Sequence, residues 1–293
     1  MAVFGLTLII FYLIFRRIDL ISLQATLLKA HRPYLLLALL LVAFIPLFSS
    51  LKWQLMLKII GYQISWSESL NLILSAFPVS AITPARSGDL VRAYYLKNKI
   101  PLTKTMGGIL TERALDVAIL TTFSLIGALV FKNQLIILIT GSILLMIALF
   151  FVLLHKIKLT QRKWPEKINH FLEASRALAK QPAQSALLLL YTALHWTLPI
   201  LEAKILFLAL GTNIPLSYLA AAFPLALFIG LLPITVAGMG TRDSAIIYLF
   251  SSFSQPATSL GVGLLYSFFG YWLFSLIGLF FMRRTISNMN NLP

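Results

Sequence analysis

Eight ionisable side chains interrupt otherwise apolar sequence: Arg86, Asp89, Arg92, Glu112, Arg113, Asp116, Arg242 and Asp243. Lys52, Glu202 and Lys204 stand at the margins of similar sequence. An ionisable group at the centre of a bilayer costs at least about 2.5–3.5 kcal/mol on insertion scales, so charges placed there are candidates for a site. Their types point to anion recognition, because guanidinium forks match phosphate oxygens in two-point contacts. Spacing suggests the pairs. Asp89 and Arg92 are three apart, as are Arg113 and Asp116; Glu112 and Asp116 are four apart, so each set shares a helical face. Two carboxylates on one face beside one arginine need a second cation. Arg113 serves one, and Arg86, Arg92 or Arg242 serves the other unless that acid holds a proton.

The backbone around these charges is itself unusual. In "ITPARSGDLVRAYYL" (82–96), Pro84 breaks a helix and Gly88 allows another backbone to come close. A helix restarting near Ser87 would aim free N–H groups and a positive dipole end at the break, which is an anion site. "LPITVAGMGTRDSAI" (232–246) repeats the design with Pro233, Gly238 and Gly240 ahead of Arg242 and Asp243. Two such breaks meeting in mid-membrane would cradle one anionic head group. Catalytic patterns are weaker. His31, His155 and His170 fall at expected interfaces, and His195 beside Trp196 reads as bundle packing. There is no cysteine, no His/Asp cluster with metal spacing, no Gly-x-Ser-x-Gly elbow and no phosphate-binding glycine loop. No catalytic residue, metal or cofactor is expected. Trp53, Trp66, Trp164, Tyr271 and Trp272 read as interface belt or packing residues.

The elements that must hold these residues are membrane helices. The 293 residues are 59% hydrophobic and only 11% charged, with mean hydropathy +0.89, where a soluble domain carries about 25% charged residues. The net charge of +15 lies between apolar segments and not in one solvated block, which argues for phospholipid as counter-charge and against nucleic acid. Spans are expected at roughly 1–15, 33–57, 105–131, 134–155, 183–210 and 257–282. The N-terminal run lacks the basic start and the cleavage site of a secretory signal, so it reads as a first helix. Glu68–Leu96 and Leu216–Phe250 each carry a Pro/Gly break near the middle and read as re-entrant or discontinuous helix pairs. Asp19–His31 and Pro165–Lys180 read as surface-lying amphipathic helices, with Asp19 as an N-cap. The fold class expected is all-α: one polytopic helical bundle over 1–293.

The two halves, about 1–132 and 133–293, run in the same order at an offset near 150. Pro84 falls near Pro233, and Arg92 against Arg242. Three crossings per half would invert the second half, and inverted repeats with broken helices are the sequence pointer to a transporter site. Lys/Arg placement puts the basic loop 156–180 and the C-terminus on the cytoplasmic side of the cell inner (plasma) membrane. The basic stretch 16–32 fits this badly; one crossing by 68–96 would instead move the N-terminus outside.

"PARSGDLVRAYYL", "GGILTERALDVAIL" and "LPITVAGMGTRDSAI" together resemble the lysylphosphatidylglycerol synthase transmembrane-region family, the flippase-like half of the bacterial multiple peptide resistance factor. The family pattern is matched at Pro84, Arg86, Gly88 and Arg92, at Glu112, Arg113 and Asp116, and at Pro233, Gly238, Gly240 and Arg242. Asp89 and Asp243 stand where the family has Glu, and Ala237 where its first glycine is usual. The resemblance implies an inner-membrane protein that moves, or helps move, a lipid between leaflets, without the aminoacyl-transferase domain of fused members. The expected partners are membrane lipids with an anionic head group, an anionic phospholipid or a polyprenyl phosphate, and a second copy of the chain or a lipid-synthesis enzyme. The alternative is a membrane glycosyltransferase, or an accessory protein in polyprenyl-phosphate-linked glycan or lipid synthesis.

Overall fold

The computed structural model describes residues 2–83, 87–156, 166–232 and 234–290. Pro84, Arg86, Pro165 and Pro233 lie outside the described residues. The described chain forms α1 (Ala2–Arg17), α2 (Leu20–Leu28), α3 (Arg32–Val42), α4 (Phe44–Ile59), α5 (Trp66–Ile82), a 3-10 turn (Ser87–Leu90), α6 (Val91–Tyr95), α7 (Leu102–Val130), α8 (Gln134–Lys156), α9 (Glu166–Lys180), α10 (Pro182–Ala209), α11 (Leu216–Leu231), α12 (Thr241–Leu249), α13 (Pro256–Ser267), a π turn (Phe268–Leu273) and α14 (Phe274–Asn290). Among the described residues, four helical stretches are long and apolar enough to span a bilayer: Arg32–Ile59, Leu102–Val130, Pro182–Ala209 and Pro256–Ser287. The chain is inside-out relative to a soluble protein. Lys52, Arg92, Glu112, Arg242 and Asp243 are buried, while Leu8, Leu40, Leu138, Met146 and Phe280 face outward. This is an all-α polytopic membrane protein, as the sequence implies.

Local chemistry sets the helix ends. Asp19 caps α2, its carboxylate accepting from Ile21 N and Ser22 N at 3.1 Å each. Pro46 has no N–H for the carbonyl of Val42, and α3 gives way to α4 at Ala43. Both broken pairs form as expected, α5 turning into α6 and α11 into α12. Each return is tight because a glycine packs on the incoming helix. A Cβ on Gly88 would stand 2.4 Å from Ser80 N, and one on Gly238 (φ +74°) 2.3 Å from Gly230 O. The breaks also touch each other: Ala237 N donates to Thr83 O at 3.2 Å. The second break is covered by α1, where Thr7 Oγ1 accepts from Val236 N at 3.0 Å. Irregular backbone at this depth is therefore enclosed by protein, the condition under which a bilayer tolerates it.

The halves share further devices about 150 positions apart. Gly61 and Gly211 end α4 and α10 with positive φ, and Tyr62 N→Leu57 O (2.9 Å) is matched by Thr212 N→Phe207 O (2.8 Å). Gln54 bonds the carbonyl of Ile64, and Lys204 that of Ile214. Small residues let the helices close on each other. Gly278 of α14 packs on Leu74 O and Pro78 of α5, and Gly127 of α7 on Ala221 of α11, where Ser124 Oγ donates to Ala221 O at 2.9 Å. Helix α9, its Leu172 and Ala174 buried, packs against α7.

Candidate functional site

Two polar centres stand behind the breaks. The first collects Lys52 from α4, Asp89 from the 3-10 turn, Arg92 from α6, and Glu112, Arg113 and Asp116 from α7. Arg92 Nη2 lies 3.1 Å from Glu112 Oε2, and Lys52 Nζ 3.6 Å from Glu112 Oε1. Lys52 also pairs with Asp116, and Arg113 with Asp89. Arg113 Nη1 reaches Asp116 Oδ2 at 3.1 Å. Ser80 Oγ donates to Asp89 Oδ1 at 2.7 Å, Trp196 Nε1 to Asp116 Oδ1 at 2.8 Å, and the Arg92 guanidinium lies 4.4 Å from the Trp53 ring centroid. Three cations thus face three carboxylates, so these six groups are neutral as a set. They surround a cavity of about 30 Å³ with Ser49, Phe77 and His195, room for one or two waters. Ser49 Oγ and His195 Nδ1 share a hydrogen bond of 3.3 Å.

The second centre is built on Arg242, which is 1% exposed. Its guanidinium pairs with Asp243 Oδ1 at 2.9 Å, donates to Ser267 Oγ, and lies 4.7 and 5.5 Å from the rings of Tyr266 and Tyr271. Ser267 immediately precedes the π turn that carries Tyr271, a winding that recurs at functional positions. A cavity of about 10 Å³ lies against Arg242, Tyr271, Gly230 and the Trp196 ring. Glu202 of α10 is 0% exposed, and neither of its oxygens, nor Arg242 Nη1, has a hydrogen-bond partner among the described residues. Buried polar atoms without partners are costly, and in the first centre Trp53 Nε1 also has no hydrogen-bond partner among the described residues.

The geometry corrects several pairings inferred from spacing. Asp89 and Arg92 do not pair through their side chains; Arg92 Nε donates to the Asp89 carbonyl at 3.2 Å while its fork goes to Glu112. The 3-10 turn leaves Asp89 at the rim, beside Arg113, whereas Arg92 reaches the buried Glu112 of α7. The second cation for the Glu112–Asp116 pair is Arg92 together with Lys52. Among the described residues, each restart has an N–H already satisfied from within. Gly88 N donates to Thr83 Oγ1 at 2.8 Å, and Asp243, the third residue of α12, folds back to accept from Gly240 N at 2.9 Å. Arg92 and Arg242 also do not converge on one space. Each lines its own cavity, and Trp196, which lines the one at Arg242, donates to Asp116 on the wall of the other. Lys52 and Glu202, marginal in the sequence, are central here and occupy corresponding positions of the two halves. Trp53, Trp196, Tyr266, Ser267 and Tyr271 went unrecognised as site residues. The one signal that could have found the tyrosines and Ser267 is their place opposite the Arg242 break.

Broken helices, an apolar exterior and charged groups sealed inside define a polytopic membrane protein with an internal polar site. The sequence model of the family described as lysylphosphatidylglycerol synthase TM region matches residues 1–278, and the chain belongs to that family of lipid metabolism. It is 26% identical to a UPF0104 membrane protein of Methanocaldococcus jannaschii over 86% of this chain and 84% of that one. Identity is 22% to a UPF0104 membrane protein of Methanothermobacter thermautotrophicus, over 85% of each chain, and 24% to one of Archaeoglobus fulgidus, over 80% of each.

Proposed function

We propose that this protein is a lipid translocase: it passes a lipid with an anionic head group, an anionic phospholipid or a polyprenyl phosphate, between leaflets. One observation carries the reading. The two helix breaks are joined by the Ala237–Thr83 hydrogen bond, and a fully buried arginine follows each, Arg92 and Arg242. Buried guanidiniums beside enclosed irregular backbone suit a transport path, and membership of a lipid-metabolism family supports lipid as cargo. We read the halves as inverted repeats, with the basic loop 156–180 and the C-terminus at the cytoplasmic face of the inner (plasma) membrane.

In the conformation described, both arginines are held by carboxylates and the cavities admit only water. A head-group phosphate would therefore exchange for a carboxylate on the guanidinium as a helix pair opens, while its hydrocarbon chains stay in lipid. Among the described residues, three cations matched to three carboxylates leave the resting cluster without formal net charge. Glu112 and Asp116 are the acids placed to set the charge, or to exchange protons, when an anion arrives.

The test is movement of fluorescent phospholipids and polyprenyl phosphate in proteoliposomes. Wild type should exceed empty vesicles for at least one lipid. Arg92→Gln and Arg242→Gln should each lose at least about tenfold of that rate, as expected for a charge-assisted contact. Arg16→Gln, at the exposed end of α1, should keep it. Arginine variants that move every lipid at the wild-type rate would overturn the assignment.

A further inference from the structure

One side chain touches both polar centres. Trp196 of α10 donates Nε1–H to Asp116 on the wall of the larger cavity, and the same residue lines the smaller one with Arg242. The residue is 3% exposed. The centres differ in access. Arg113 and Asp89, at the rim of the larger cavity, have side chains 28% and 13% exposed, whereas Arg242 is sealed at 1%. The acceptor of the Trp196 indole thus belongs to the more accessible centre, and Arg242 to the sealed one. The helix carrying the indole is locally weakened. Pro199, inside α10, has no N–H for the carbonyl of His195, which removes one rung at the turn that presents Trp196.

We infer that Trp196 is a gate: released from Asp116, its indole swings aside and joins the two cavities into one polar path from Arg92 to Arg242. The inference rests on the lipid-handling reading, and the group that passes is the head group of that lipid. Asp116 is the latch, and it is also held by Lys52 and Arg113. An arriving anion that competes for those two cations frees Asp116 to move, and the indole loses its acceptor. Arrival at the first centre thereby opens the way to the second.

The chain has no cysteine, so one introduced thiol reports without background. Leu227 lines the smaller cavity and is 4% exposed. In the full-length protein, Leu227→Cys is reacted with a small water-soluble methanethiosulfonate. Trp196→Phe keeps an aromatic wall and removes only the latch. It should raise the labelling rate at least about tenfold, the scale of one hydrogen bond to a charged acceptor. Trp196→Ala should raise it further. Phe223→Cys, one turn earlier on α11 and fully buried against Tyr266, should stay unreactive in both backgrounds. Labelling of Leu227→Cys at the parent rate in Trp196→Phe would reduce Trp196 to packing. Parallel labelling of Phe223→Cys would show general loosening instead. Either result overturns the gate. Labelling is read without lipid movement, so a protein that moves no lipid but opens in Trp196→Phe refutes the translocase and keeps the gate.

Discussion

Lys52→Met removes one of three cations from a buried cluster that also holds three carboxylates. Taking one partner from a buried ion pair costs roughly 3–5 kcal/mol, because the remaining charge stays desolvated. Here the lower end is expected. Asp116 keeps Arg113 at 3.1 Å and Trp196 at 2.8 Å, and Glu112 keeps Arg92 at 3.1 Å. A loss of about 3 kcal/mol lowers the folded-to-unfolded ratio by roughly a hundredfold. The double variant Lys52→Met/Asp116→Asn restores charge balance, its one amide oxygen accepting from Trp196 or from Arg113 in place of the two carboxylate oxygens that now serve them. It should recover at least about 1.5 kcal/mol relative to the sum of the single costs. The assay is equilibrium unfolding in mixed micelles titrated with sodium dodecyl sulfate and followed by circular dichroism. Lys99→Met is the control: its ion pair with Glu68 at 2.7 Å is exposed and is worth less than about 1 kcal/mol. If the single costs add to within about 0.5 kcal/mol, the six charges are not one coupled network and the balance argument fails.

Two further outcomes follow from the same coordinates. Gly88→Ala and Gly238→Ala drive a methyl into backbone at 2.4 and 2.3 Å, so each should cost upwards of about 1–3 kcal/mol and slow lipid movement, whereas Gly141→Ala, with open space around it, should be neutral or stabilising; thermal unfolding in detergent separates them. Glu202→Gln removes an ionisable group that has no hydrogen-bond partner among the described residues and should leave the unfolding midpoint unchanged or higher. Arg242→Gln strands Asp243 and should lower it.

The parts legible beforehand were local ones. The ends of α5 and α11 fall where the sequence has proline and glycine, whose backbone effects act within a turn, and the capping of α2 follows from Asp19 alone. Four of the six expected spans, 33–57, 105–131, 183–210 and 257–282, follow from apolar run length; the runs at 1–15 and 134–155 are helical but are not among the four stretches of described residues long and apolar enough to cross. What misled was spacing. Asp89 and Arg92 are correctly placed to pair on a regular α-helix, but the segment winds as a 3-10 turn and α7 offers each a better partner. The half-to-half correspondence was visible as an offset; the matched Gly61 and Gly211 ends and the Gly88 and Gly238 contacts needed coordinates.

By itself the sequence determined that the chain crosses a membrane, where the two broken pairs interrupt, and which charges lie within apolar sequence, since hydropathy and backbone preference are properties of short segments. Only the tertiary structure decided who holds whom. Lys52 reaches Asp116 across 64 residues, Trp196 reaches it across 80, and Arg242 finds Ser267 on another helix. Such pairings depend on how helices cross and rotate. In a medium with no water to satisfy a stray charge, that packing fixes whether each buried group is matched, as Arg92 is, or left without a hydrogen-bond partner among the described residues, as Glu202 is.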